Sequence, residues 1–328
     1  MRWDIGIDMG ENNVRLALFG RGTIVNAPSL IAMRSGKPVA IGEDALEMWG
    51  RAPDDISIVR PIANARIENA AACALWMDQL VGRHVSRLKK PSVLIAAPRH
   101  MPQSDLTALT ASVMAKEAGQ CGIISADIAS ALGADVDVRS PGGKIIIDIG
   151  AGQIGAAILS YGRIISSHAL PYGMNRIDHA IMALLKDRHA LTVGMRTAED
   201  IKINLAAATQ RRALSMDIAG YDAVRGFPVL LNITSEMIAD AVQPILTILI
   251  ETIAALIADA PVALAADLLD VGIVLTGGGA NLFGLDILIA ERLGMPCRTA
   301  KNAPESGIDG VYRAMTDDAF EKLIEIKK

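Results

Sequence analysis

Two stretches of this chain share one design, with their acids 140 residues apart. Stretch 5–18 reads IGIDMGENNVRLAL and stretch 144–160 reads KIIIDIGAGQIGAAILS. In each, an apolar run enters and an Asp follows (Asp8, Asp148). A glycine turn then reverses the chain (Gly10; Gly150-Ala151-Gly152), and a second apolar run leaves. That pattern is strand, tight turn, strand. Glycine accepts positive φ, so the N–H groups of such a turn can converge on an anion. An acid at the strand end then stands where a metal bound to that anion would lie. Taken singly, each stretch reads equally well as a buried hairpin with a solvated strand-end acid. The recurrence gives it weight. A third turn, Thr276-Gly277-Gly278-Gly279-Ala280, follows a strand over 272–275 and is expected to open a helix over 281–292. Two similar hairpins and a glycine turn at a helix start imply two related halves closing on one nucleotide.

With 328 residues, the chain is long enough for about two domains. Half of it is hydrophobic, which supports a large core. A net charge of −4 and only 3% aromatic residues argue against a nucleic-acid partner. Cys73, Cys121 and Cys297 are far apart and form no CxxC pair, which suits a reducing cytoplasm. The five histidines make no ligand constellation, so no structural metal is expected. The chain starts Met1-Arg2-Trp3-Asp4 and enters a strand at once, without a secretory pattern. The most apolar region, 237–275, is interrupted by Asp240, Glu251, Asp259, Asp267 and Asp270 and is expected to form buried helices.

Along the chain, strands are expected at 23–25, 38–41, 91–97 and 123–124. Helices are expected at 43–49, 70–81, 105–118 (capped near Ser104) and from 129 towards Gly133. After the second hairpin come a strand over 163–170 and a helix over 174–185 carrying Asp178. A helix follows that begins at Thr197 as its N-cap, then a strand pair over 221–233 broken at Gly226-Phe227-Pro228. A long helix is expected from Thr234-Ser235-Glu236 to about Asp259, then a connector over 261–269. The tail, 307–328, is expected to end in a helix packed on the first half. Strands alternating with helices in this way indicate an α/β layer architecture.

The order Asp8-x-Gly10, Asp148-x-Gly150-x-Gly152, then Thr276-Gly277-Gly278-Gly279 resembles the actin-like ATPase superfamily. Stretches 50–61 (GRAPDDISIVRP), 196–203 (RTAEDIKI), 263–270 (ALAADLLD) and 272–286 (GIVLTGGGANLFGLD) are similar to the MreB family of bacterial actins. The resemblance runs colinearly over nearly the whole chain. It implies an α/β, actin-like two-domain fold of ribonuclease H-like halves with a nucleotide cleft between them. Domain I would be 1–143 plus 311–328, with a small subdomain at about 33–70. Domain II would be 144–310, with a small subdomain at about 186–240.

The resemblance also implies ATP or ADP with Mg²⁺ as the ligand. Gly10, Asn12 and Asn13 would form the first phosphate loop, and Gly150, Ala151, Gly152 and Gln153 the second. Asp8 and Asp148 would face the magnesium ion through water. Glu199, Asp200, Ile201 and Lys202 would border the ribose and adenine, and Gly278, Gly279, Ala280 and Asn281 would cover the nucleotide. Glu199 and Lys202, three apart on one helix face, equally suit an exposed ion pair.

Several positions depart from the family pattern. MreB proteins carry Thr-Ala-Asn-Thr after the first glycine, where this chain has Glu11, Asn12, Asn13 and Val14. A Glu11 aimed at the phosphates would repel them by roughly 4 kcal/mol at about 4 Å, for an effective dielectric near 20. The family's Gly-Gly-Gly-Thr-Thr becomes Gly150, Ala151, Gly152, Gln153 and Ile154. The family's second Glu of Glu-Glu-Pro positions the attacking water. Ala126 stands there, with Asp127 beside it as a substitute. Positioning groups of this kind contribute about 10²–10⁴-fold, so weak or absent hydrolysis is expected.

The function implied is a cytoplasmic filament, built head to tail from copies of this chain, for cell shape or spatial organisation. A membrane surface met through the basic stretch 83–90 and membrane proteins of morphogenesis would be its other partners. The same basic stretch also reads as a solvated turn before a strand. Two other functions fit the residues. One is a pseudo-ATPase scaffold that does not polymerise. The other is a small-molecule kinase of the same superfamily, which the absence of an extra substrate domain and Ala126 at the base position disfavour.

Overall fold

The computed structural model describes residues 3–82, 90–116, 118–210 and 213–327. The basic stretch 83–90 therefore lies, apart from Lys90, outside the described residues.

The first half opens with the strands β1 (Ile5–Met9), β2 (Asn13–Leu18) and β3 (Gly22–Pro28). A small antiparallel sheet follows, of β4 (Ile31–Arg34), β5 (Lys37–Ile41) and β6 (Ile56–Val59), with α1 (Glu43–Met48) beside it. The short hairpin of β7 (Ile62–Ala63) and β8 (Arg66–Ile67) leads into α2 (Ala70–Met77). Then come β9 (Ser92–Ala97), α3 (Gln103–Met114), β10 (Gln120–Ser125) and α4 (Ala126–Gly133).

The second half repeats the plan with β11 (Lys144–Ile149), β12 (Ile154–Ser160), β13 (Arg163–Leu170) and α5 (Asn175–His189). An insertion of β14 (Leu191–Thr192), α6 (Met195–Leu205), β15 (Ser215–Asp222) and β16 (Pro228–Thr234) precedes the long α7 (Ser235–Ala258). The chain closes with α8 (Ala265–Val271), β17 (Ile273–Thr276), α9 (Leu285–Leu293), β18 (Cys297–Thr299), α10 (Ser306–Thr316) and β19 (Glu325–Lys327).

The two main sheets have the same topology. One runs β19-β10-β9-β1-β2-β3 and the other β13-β12-β11-β17-β18. In each, the first two strands pair antiparallel, and the opening strand pairs parallel with a strand that comes much later in the chain. Both faces of β11 and β12 are covered, so their central runs, 145–147 and 156–159, are apolar without alternation.

The helices α4 and α10 lie between the sheets. α4 packs on β9, β10, β11, β12 and β17, and α10 on β1, β2, β3 and β9. They cross each other closely because glycines stand at the contact. A Cβ on Gly133 would overlap the Ser306 carbonyl, and one on Gly310 would overlap the Ala129 carbonyl. One core therefore runs from Trp3, Leu94 and Ile124 through Ala129, Leu132, Val311 and Met315 to Ile145 and Ile147.

The long helix α7 begins as expected, with the Thr234 side chain accepting a hydrogen bond from the Met237 N–H. Among the described residues it is the one helix long and apolar enough to cross a membrane by length and composition. Ile238, Val242, Ile245, Leu249 and Ile253 are buried along it, and it packs on β12, β13 and α5.

Other elements differ from expectation. Helix α3 starts at Gln103 after Pro102, with no side-chain cap at Ser104. Helix α6 starts at Met195 after Gly194, so Thr197 lies inside its first turn rather than at the cap. The third glycine turn forms a separate short helical turn, Gly278–Asn281, and α9 begins only at Leu285. The tail ends in β19, which extends the first sheet antiparallel to β10. The expected domain boundary at 311 falls within α10.

The glycine crossing yields a prediction. Gly310→Ala should lose about 1–3 kcal/mol in chemical denaturation, since the added methyl meets backbone that cannot yield. Gly194→Ala, where a Cβ meets nothing within 4 Å, should lose under about 1 kcal/mol.

Candidate functional site

The strand ends of the two sheets meet over one cavity of about 630 Å³. The two hairpin turns are built alike. Gly10 N–H donates to the Asn13 carbonyl at 2.9 Å, and Gly150 N–H donates to the Gln153 carbonyl at 2.9 Å. Neither Gly10, Gly150 nor Gly152 has positive φ, contrary to the expectation for these turns. What requires glycine at the first position of each turn is the close approach of backbone. A Cβ on Gly10 would stand 3.1 Å from the Asn13 carbonyl, and one on Gly150 2.9 Å from that of Gln153. The third turn does use positive φ: Gly277 has φ +79°, and its Cβ position lies 2.5 Å from the Ile149 carbonyl.

Gly10, Asn12, Asn13, Gly150, Ala151, Gly152, Gln153, Gly278, Gly279 and Asn281 all line the cavity, as do Asp8, Asp148, Glu199 and Lys202. Three other expected ligand-bordering residues do not. Ile201 is in the core at 0% exposure, and Asp200 is exposed on another side of α6. Ala280 is buried behind the third turn. The helical period explains α6: residues 199, 202, 203 and 206 share the cavity face, and 200 and 201 do not.

Asp127 also departs from expectation. Its carboxyl is buried against β12, where a Cβ on Gly155 would come within 2.7 Å of Asp127 Oδ1. Ala126 and Ser130 line the cavity in its place. As the second residue of α4, Asp127 points about 100° round the helix from Ala126.

The acids behind the turns are coupled. Burial raises Asp8, against the lowering effect of the Arg15 guanidinium at 3.5 Å. Burial, then the neighbouring Asp8 and Asp127, pushes Asp148 up to about 7, although Ser130 and Thr276 hydroxyls donate to it at 3.1 and 3.3 Å. Burial likewise raises Asp127. Carboxylates gathered this way favour a cation, and their hard oxygen donors suit Mg²⁺. Among the described residues no group of three or more His, Cys, Asp or Glu forms a protein cage for a metal.

Lys202 does not pair with Glu199. Its Nζ lies 2.7 Å from Asp178 Oδ2 on α5, in a largely buried ion pair. Burial drives Asp178 up to about 6 in spite of that lysine. Glu199 instead accepts from Asn12 Nδ2 at 3.3 Å, across the cavity.

Sequence reasoning missed three residues. Arg15 stands directly across from Asp8 in the β1–β2 register, and an Asp-to-Arg spacing over a tight hairpin could have revealed it. Asn175 opens α5 and reaches Glu11 and Asn12. Arg60, within the 50–61 stretch, donates to the Glu11 carbonyl and to Asn12 Oδ1 at 3.0 Å. Nothing local marks either of the last two.

Duplicated halves, each presenting an acid and a glycine turn to a shared cavity, define the actin-like fold. The family model for MreB/Mbl protein matches residues 2–323, and the chain belongs to that family. It is 32% identical over 304 residues to the cell shape-determining protein Mbl of Bacillus subtilis (strain 168), covering 91% of each chain. It also superposes on MreB5 of Spiroplasma citri bound to ADP with a TM-score of 0.93, at 28% identity over 96% of this chain and 97% of that one. The AMPPNP-bound form of that protein gives a TM-score of 0.92, at 28% identity over 98% of each chain.

The raised Asp148 has a consequence for stability. Its carboxyl holds a proton in the fold that the unfolded chain has released, so stability falls as pH rises from about 4 to about 7. Asp148→Asn removes this penalty. Without ligand, the variant should gain on the order of 2–4 kcal/mol over the parent at pH 8 and little at pH 4, measured by denaturant titration at each pH.

Proposed function

We propose that this chain binds ADP or ATP with Mg²⁺ in the cavity between its halves and assembles head to tail into cytoplasmic filaments serving cell shape or spatial organisation. One observation carries the reading: two glycine turns of matching geometry face one cavity, each backed by a half-buried acid. The ligands of the Spiroplasma citri relative and the cell-shape role named for the Bacillus subtilis relative support it.

In this reading residues 1–143, with all of α10 and the tail, form one domain, and the remainder of 144–310 forms the other. The turns 10–13 and 150–153 hold the phosphates. Glu199 and Lys202 border the ribose and adenine beside the apolar wall of Ala206, Leu282 and Phe283. Asp8 and Asp148 hold the Mg²⁺ through water, and the ion supplies neutralising charge to the phosphates. Hydrolysis is weak or absent, because Ala126 has no group to orient a water and Asp127 is turned away. The stretch 83–90 meets anionic lipid, at about 1 kcal/mol per basic residue, and membrane proteins of morphogenesis are further partners of the filament.

Head-to-tail assembly needs two different surfaces. The β15–β16 hairpin exposes Tyr221, Val224, Phe227 and Leu230 around its tip. Val262, Leu269 and Val271 are exposed around α8.

Two tests follow. Isothermal titration with Mg²⁺ should show micromolar nucleotide binding that Asp148→Ala abolishes, and no binding at millimolar nucleotide contradicts the site. Sedimentation should show concentration-dependent pelleting, reduced severalfold by Phe227→Asp with the nucleotide affinity unchanged.

A further inference from the structure

One residue that departs from the family pattern also makes a contact across the cavity. Glu11 belongs to the first glycine turn, but its side chain crosses to the second half. Glu11 Oε1 accepts from Asn175 Nδ2 at 2.7 Å, and Asn175 N–H donates to the Ala151 carbonyl at 2.9 Å. Glu11 Oε2 accepts from the Asn64 N–H at 2.8 Å, at the tip of the β7–β8 hairpin. The carboxylate lies directly over Gly152, where any Cβ would overlap it. The neighbouring Asn12 reinforces the crossing. It exchanges hydrogen bonds with Asn175 at 3.3 and 3.4 Å, and Arg60 donates to both the Glu11 carbonyl and Asn12 Oδ1.

An anion thus already stands in the gap between the two glycine turns, held in place by donors from both halves. This inference rests on the nucleotide reading above. With the base against Ala206, Leu282 and Phe283, the phosphate tail runs towards that gap, and the last phosphate of a triphosphate must enter it. A second phosphate can stop short. A third meets the like charge of a carboxylate held by Asn175 and Asn64. To admit it, Glu11 must leave Asn175 and Asn64 and lose those hydrogen bonds.

We propose that Glu11 makes the cavity selective for nucleoside diphosphate: its carboxylate occupies the terminal-phosphate position and excludes ATP relative to ADP. Selectivity arises from repulsion of the wrong ligand rather than from added contacts to the right one.

The experiment is calorimetric titration of the full chain, with Mg²⁺, against ADP and against AMPPNP. It uses the parent, Glu11→Gln (same shape, no charge) and Glu11→Thr (short and neutral). The parent should bind ADP at least about tenfold tighter than AMPPNP. Glu11→Gln should narrow that ratio, and Glu11→Thr should erase it, chiefly through tighter AMPPNP binding. If Glu11→Thr does not fold, the narrowing in Glu11→Gln decides. Equal affinities in the parent, or a preference unchanged in every folded variant, would overturn the inference while leaving the nucleotide site intact. Failure of the parent to bind either ligand would overturn the nucleotide reading and this inference together.

Discussion

The crossing of α4 and α10 sets the relation of the two halves. α10 packs on the first sheet and α4 on strands of both, and Gly133 and Gly310 let the two helix backbones touch. A side chain at either point would push the sheets apart. Without that close contact the ends of β1 and β11 would not open onto one cavity, and neither turn would have a counterpart. The N-terminal end of α10 lies so near β1 that a Cβ on Gly307 would sit 2.8 Å from Asp8 Oδ2. The helix pair thus connects the packing of the halves with the chemistry between them.

Charge in the cavity follows from that closeness. Asp8, Asp127 and Asp148 come from three elements and are all raised by burial. Arg15 offsets part of the negative charge at Asp8. A bound cation would offset the rest, and a polyphosphate would bring one with it. Beyond these acids a polar network links Asn12, Asn175 and Arg60, and Lys202 pairs with Asp178. Burial lowers the Arg60 guanidinium, while Glu11, Glu199 and Glu68 act to keep it charged. Glu11 is therefore held from several directions, and its crossing is part of a network rather than an isolated contact.

Much of this was legible in the sequence because it is local. The duplicated strand–Asp–glycine design appears as two hairpins in matching register, and the Thr234 cap starts the helix that the apolar spacing implies. On α6 the run Glu199 to Lys202 was taken as one border of the ligand, whereas the helical period leaves Glu199 and Lys202 on the cavity side and turns Asp200 and Ile201 away. What was not legible depends on distance along the chain. Glu11 and Asn175 are 164 residues apart, and Lys202 and Asp178 are 24 apart on different helices. Asp127 differs from Ala126 by one step round a helix, and only the position of β12 decides which of them meets the cavity. The tail was read as helical to its end because edge-strand pairing with β10 depends on a partner two hundred residues earlier.

Hydrogen exchange with and without Mg²⁺–ADP reads the two halves at once. If one nucleotide is held by both, amides of 10–13, 150–153 and 277–281 should all slow on adding ligand, and slow together across a titration. Protection confined to one half, or none at saturating ADP, would contradict a site shared between duplicated halves.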